Sequence, residues 1–157
     1  GAMDKARAYL ADIDAGIERI RAQTAAWPKR PRVYVEEWDE PRISGIQWVA
    51  ELVRIAGGDD IFPELAAEPL ARQRILANDD EILRRAPELV LGSWCGKKFR
   101  PDLVATRPGW ADVPAVRSGA LVEIKSPLIL QPGPAALTEG LEAVHKAIAR
   151  VAMCEHR

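Results

Sequence analysis

The sequence is poor in cysteine and in net charge, and it has no long apolar run. Its only cysteines, Cys95 and Cys154, cannot build a disulfide framework or a multi-cysteine zinc site. Lys and Arg number 22 against 23 Asp and Glu, a formal net charge of -1. That balance argues against a dedicated nucleic-acid binder, which carries a basic excess, and against an acidic disordered tail. No apolar stretch approaches the ~20 residues needed to cross a bilayer, and no basic-then-apolar leader opens the chain. A glycine-rich phosphate loop is missing too, since Gly57-Gly58 runs into Asp59-Asp60, whose charges repel phosphate. No internal repeat or low-complexity segment is found. What is present is 157 residues, 48% hydrophobic and 29% charged, enough for one domain with a real core.

Residues 1–3 (Gly-Ala-Met) read as the scar of a removed tag, so the lack of a leader carries no information on compartment. Residues 4–30 read as a long helix and its linker. Ala6, Leu10, Ile13, Ile17 and Ile20 recur at steps of four and three and mark one apolar stripe, which Trp27-Pro28-Lys29-Arg30-Pro31 ends. A second long helix is predicted from Gly133 to Met153, with Leu137, Leu141, Val144, Ile148 and Val151 on its apolar face.

Between them, Arg32–Glu37 is β-branched and aromatic and predicts the first strand. Gly45–Ala56 predicts a helix stopped by Gly57-Gly58. Asp60–Phe62 predicts a short strand or turn, Glu64–Pro69 a loop and Arg72–Leu76 an edge strand. Asn78 is placed to cap a short helix, Asp79–Arg85, with acids in its first turn and arginines in its last. Glu88–Leu91 is a continuous apolar strand of the kind buried on both faces of a parallel sheet. Pro101–Thr106 predicts a proline-opened helical turn, Gly109–Pro114 a compact connection and Ala120–Ile124 the last strand. The alternation implies an α/β fold: a three-layer, Rossmann-like lobe with a mostly parallel central sheet behind a long leading helix.

In such sheets ligands sit beyond the carboxyl ends of the strands. Those ends carry Glu37–Arg42, Gly92–Lys98 and Lys125–Pro132. Trp38 and Trp94 stand at two of them, where they either line a surface for an apolar or ring-shaped partner or cover the end of the core. Pro101-Asp102 followed by Glu123-Ile124-Lys125 matches the PD…ExK spacing of metal-dependent nucleases, in which two carboxylates hold a cation and the lysine assists water attack. The motif is short, Asp102 opens a helical turn rather than a strand, and no basic face accompanies it. His145 and His156 have no nucleophile partner by spacing, and Cys95 reads as a buried structural thiol rather than a reactive one.

Five segments taken in order carry a resemblance: RPRVYVEEWDEP, SGIQWVAELVRIAGGDDIF, DDEILRRAPELVLGSWCGK, RPGWADVPAVRSGALVEI and SPLILQPGPAALTEGLEAV. Their order and spacing from Arg32 to Ile148 resemble the bacterial solute-binding proteins of ABC transporters that have a helical backbone between two lobes. The likeness is to the cobalamin-binding branch first and the iron-chelate binders second. It implies a non-catalytic C-terminal lobe, residues 31–157, behind the interdomain helix, with the N-terminal lobe missing and a chain about half of the whole receptor.

The same resemblance implies ligand contacts from Trp38, Asp39 and Arg42, from Ser93 and Trp94, and from Ser126, Leu128 and Gln131. Leu128 and Gln131 stand where cobalamin binders place aromatic or basic residues, so a haem-like or siderophore ligand stays open beside cobalamin. Asp80 is the match for the acidic residue that docks on permease arginines. Acids at a helix start also stabilise its dipole without any partner. No resident cofactor or metal is implied; the ligand would be cobalamin or an iron chelate. A solitary lobe supplies half a cleft, so binding by this chain alone is expected to be weak or undetectable. The expected compartment is the periplasm or cell envelope, although unpaired cysteines also fit the cytoplasm. The stripe through Leu10, Ile13, Ile17 and Ile20 predicts a homodimer through the long helix.

Overall fold

A computed structural model describes residues 1–154; His156 lies outside the described residues. The leading helix α1 spans Ala2–Ala25, so Ala2 and Met3 are helical as well. Its apolar stripe is used unevenly. Ile13, Ile20 and Thr24 are buried, whereas Leu10 is 60% exposed and Tyr9 49%. The carboxyl half of α1 is therefore docked and the amino half projects.

Strand β1 (Arg32–Asp39) runs two residues beyond the apolar pattern that announces it. A bulge between Glu36 and Trp38 lets the chain turn back as β2 (Arg42–Ser44), which pairs antiparallel with Asp39 opposite Arg42. The predicted loop after the first strand is thus a hairpin. Helix α2 (Gln47–Ile55) starts two residues later than expected because Ile46 gives its N–H to the Glu37 carboxylate at 2.7 Å. Gly57, at φ +100°, is the stop the sequence promised. A Cβ there would also lie 2.5 Å from the Trp27 ring, so glycine is needed twice over.

Strand β3 is the pair Asp59–Asp60, followed by a helical turn α3 (Pro63–Ala66) where a loop was expected. Arg72–Leu76 is not an edge strand. It forms a 3-10 turn at Ala71–Gln73 and a single antiparallel bridge, Ile43 to Ile75, because the Arg74 side chain turns inward and is buried. Helix α4 covers Asp80–Arg85. Asn78 does receive the Asp80 N–H, at 3.0 Å, but the cap position itself is Asp79, whose carboxylate is engaged elsewhere.

Strand β4 (Leu89–Gly92), helix α5 (Pro101–Ala105) and strand β5 (Leu121–Glu123) follow within a residue of the predicted bounds, whereas helix α6 (Pro114–Arg117) was not predicted and forms where the compact connection was expected to end. A helical turn α7 (Ser126–Ile129) occupies the expected final loop. The last helix opens with a π-type turn at Ala136–Gly140 and continues as α8 (Leu141–Cys154). Leu137 lies in the wide turn and stays 40% exposed instead of joining the apolar face.

The sheet order is β2-β1-β4-β5, with β3 on the same edge of β1 as β2, and every pairing except β1–β2 is parallel. Alternation along β1 and β4 feeds two cores. Val33, Val35, Leu89 and Leu91 meet Ile20 of α1, Val49 and Val53 of α2, and Val144 and Ile148 of α8. Tyr34 and Val90 meet Phe62, Ile82, Phe99, Val104 and Trp110 on the other face. The result is the three-layer α/β lobe anticipated from the sequence. Register places Glu36, Gly92 and Glu123 side by side, so the carboxyl ends of β1, β4 and β5 form one rim.

Candidate functional site at the strand ends

Two successive glutamates leave β1 toward opposite faces and fix this rim. Glu36 is completely buried and accepts four hydrogen bonds. Tyr34 Oη donates at 3.0 Å, Trp94 Nε1 at 3.0 Å, and the two Arg107 Nη groups at 2.8 Å each. A buried carboxylate is tolerable only when paired and fully hydrogen-bonded, and Glu36 meets both conditions. Burial, then the Glu36 charge, pushes the Tyr34 hydroxyl well above its ordinary pKa, so it stays a donor.

Glu37 points the other way. Its carboxylate takes the Ile46 N–H and Arg74 Nη2 at 3.2 Å, while Arg74 Nη1 also reaches Ser44 O at 3.1 Å. Burial raises the Glu37 pKa, against the pull of Arg74. These opposed clamps hold the bulge and the hairpin, and through them Trp38 and Asp39. Neither Arg74 nor Arg107 was anticipated. The available signal was the placement of charged residues at the end of an apolar strand.

On this frame the predicted site residues divide. Trp38 is half-buried, with its Nε1–H donated to Glu40 O at 2.8 Å. Trp94 is buried edge-on to Phe99, with ring centroids 5.0 Å apart. Gly92 permits this arrangement, because a Cβ there would sit 1.9 Å from Phe99 Cδ2. Lys97, which the sequence did not single out, joins the two tryptophans. Its ammonium lies 4.3 Å from the Trp38 ring centroid, 4.9 Å from that of Trp94 and 2.5 Å from Asp39 Oδ1. Trp38, Asp39 and Trp94 are therefore one cluster.

Arg42 turns away from it and pairs with Asp79, Nε to Oδ1 at 2.6 Å, while Trp110 Nε1 donates to Asp79 Oδ2 at 2.7 Å. Ser93 is buried, and its Oγ finds no hydrogen-bond partner among the described residues. Ser126 begins α7, Leu128 packs with the core of the opposite sheet face from Trp94, and Gln131 is exposed. Asp80 is exposed at the start of α4.

The nuclease residues are engaged separately. Asp102 is exposed on α5 and bound by Arg100 at 2.6 Å, whereas Glu123 takes the Phe99 N–H and Lys125 Nζ, both at 3.2 Å. The two carboxylates answer to separate partners on separate elements. Cys95, expected inside, is exposed on the loop after β4, and Cys154 is exposed too. His145 is structural: it stacks on Trp27 at 5.6 Å with its Nδ1 3.0 Å from Ala56 O.

A mostly parallel sheet layered by helices, with aromatic strand-end loops along one rim and a long leading helix, defines a three-layer α/β lobe. A sequence profile of the periplasmic binding protein family matches residues 1–128, and the chain belongs to that family. No curated protein matches the chain in sequence. Among solved structures, an ABC transporter substrate-binding protein from Listeria monocytogenes EGD-e superposes with TM-score 0.76 at 16% identity, over 94% of this chain and 58% of the other. The periplasmic heme-binding protein RhuT from Roseiflexus sp. RS-1 gives 0.69 at 18% identity, over 94% and 58%. The periplasmic vitamin B12 binding protein BtuF of Vibrio cholerae gives 0.67 at 18% identity, over 90% and 52%. The chain thus spans little more than half the length of these structures.

Proposed function

We propose that this chain is the C-terminal lobe of an ABC-transporter solute-binding protein, which captures cobalamin or a related metal chelate between two lobes and hands it to a membrane permease. The observation that carries the reading is the rim cluster. Two tryptophans and a carboxylate stand at the carboxyl ends of β1 and β4, where an open parallel sheet of this family receives its ligand. The vitamin B12 and heme named for two of the similar structures are both broad metal macrocycles. A half-buried indole such as Trp38 offers a ring of that kind a flat apolar contact. The role is non-catalytic, in the periplasm or cell envelope. Asp80, exposed at the start of α4, is the proposed contact to permease arginines.

Binding of cobalamin, haem and an iron-hydroxamate chelate, measured for this chain and for this chain joined to a preceding lobe, tests the reading. Tight binding of one of them is expected only when both lobes are present. Failure of the joined protein to bind any of the three would overturn the function. Micromolar affinity of the lobe alone would overturn the half-cleft argument.

A further inference from the structure

Lys97 does something unusual for a lysine on a surface loop. Its ammonium sits against two indole faces and a carboxylate at once, although the side chain is 41% exposed. Indole faces attract cations through their quadrupole, and two of them beside an anion make the usual recognition surface for an alkylated ammonium. Asp39 strengthens the point. Its Oδ1 is closed off from solvent, and Lys97, at 2.5 Å, is the one cation paired with it among the described residues. A carboxylate oxygen in that setting needs a positive charge beside it.

The frame has supports other than Lys97. Trp94 is tied to Glu36, Trp38 to the Glu40 carbonyl, and Asp39 lies in the β1–β2 hairpin opposite Arg42. Lys97 is different. It follows Cys95 and Gly96, both exposed, with Gly96 at φ +76° and open space where a Cβ would lie. The walls are thus held by contacts that do not involve Lys97, and Lys97 reaches them from an exposed turn.

We infer that Trp38, Trp94 and Asp39 form a site for an organic ammonium group, which Lys97 fills in the free chain and vacates when a ligand supplies its own. The inference rests on the strand-end rim being the ligand side of the lobe. A metal chelate that also carries a protonated or quaternary amine would gain a contact there that a chelate without one lacks. Lys97 is then a specificity-determining residue: it competes with cationic ligands and bars neutral groups from the box.

Tetramethylammonium chloride is the probe, titrated at constant ionic strength with sodium chloride. Indole N–H resonances are the readout. Trp38 and Trp94 report the box, and Trp27, Trp48 and Trp110 serve as internal controls. In Lys97→Ala, saturable shifts confined to Trp38 and Trp94 are expected, with affinity about tenfold above that of the intact chain because the competing tether is gone. Lys97→Gln, which keeps the length and loses the charge, should show the same direction. Adding Asp39→Asn to Lys97→Ala should abolish saturation.

Equal affinity in Lys97→Ala and the intact chain, no saturation in either lysine variant, or equal shifts at all five indoles would overturn the inference and leave Lys97 a structural latch. Cobalamin titrated on the same resonances tests the receptor reading separately. A cobalamin response without an ammonium response overturns the inference alone.

Discussion

Replacing Glu36 by Gln changes one oxygen into an amide nitrogen and leaves the shape intact. Four donors from three side chains converge on the two Glu36 oxygens. Glutamine keeps a single acceptor oxygen and turns its NH2 against donors, so at least half of those bonds are lost. Arg107, whose side chain is only 9% exposed, loses its directly paired counter-ion and keeps only the weaker attraction of Asp79. Breaking a buried pair from one side costs about 3–5 kcal/mol. The slight opening of Arg107 to water points to the lower end, about 3 kcal/mol. With a urea dependence of about 2 kcal/mol per M, the unfolding midpoint should fall by about 1.5 M. In a double-mutant cycle with Arg107→Met, the coupling between the two positions should be about 1–3 kcal/mol. The Trp94 indole N–H resonance should move in Glu36→Gln while that of Trp48, bonded to Ile129 O, stays. A loss under about 1 kcal/mol, or additive single losses, would refute the claim that this network pins the rim.

Asp60 has its carboxyl pushed up to about 6, chiefly by burial, so the folded chain holds a proton there more tightly than the unfolded one. The resulting destabilisation is complete above about pH 6 and is relieved as pH falls toward 4, on the order of 3 kcal/mol over the window. Asp60→Asn should therefore raise stability at pH 7 and flatten the pH 4–6 slope in urea melts; an unchanged slope would exclude Asp60 as its source. Gly92→Ala drives a methyl into the Phe99 ring, 1.9 Å from Cδ2, and should cost about 1–3 kcal/mol, recovered in part by Phe99→Leu in thermal melts. Cys95 and Cys154 are both exposed, so a small alkylating reagent should modify both thiols of the native chain without denaturant, as counted by mass spectrometry.

Local signals gave the architecture. The apolar run Leu89–Leu91 marked a strand buried on both faces, and Gly57-Gly58 marked the end of α2, because each depends on neighbours in the chain. The rim position of Trp38, Asp39 and Trp94 followed from strand direction alone. Partner choice did not. Glu36 and Arg107 stand 71 residues apart and Arg74 and Glu37 stand 37 apart, separations at which periodicity carries no information. Lys97 was hidden in a polar loop, since only the folded hairpin brings Trp38 across to it. Arg42 illustrates the converse: it sits in the expected place and faces Asp79. The edge strand predicted at Arg72–Leu76 failed for a related reason, as burial of one arginine outweighed β propensity. The stripe on α1 showed which side is apolar, not how much of its length is docked.

That partial docking has a mechanical consequence. The eleven residues of α1 before Ile13 form an arm of about 17 Å clamped at one end. They overhang a largely apolar groove of about 620 Å³ bordered by Trp48, Ile55 and Pro134 on the body and by Tyr9 and Leu10 on the arm. A rotation of about 10° at the clamp would swing the tip by about 3 Å, roughly two residues' rise along the helix. A change in the angle of the arm would therefore change the width of the groove, whose opposite wall includes Trp48.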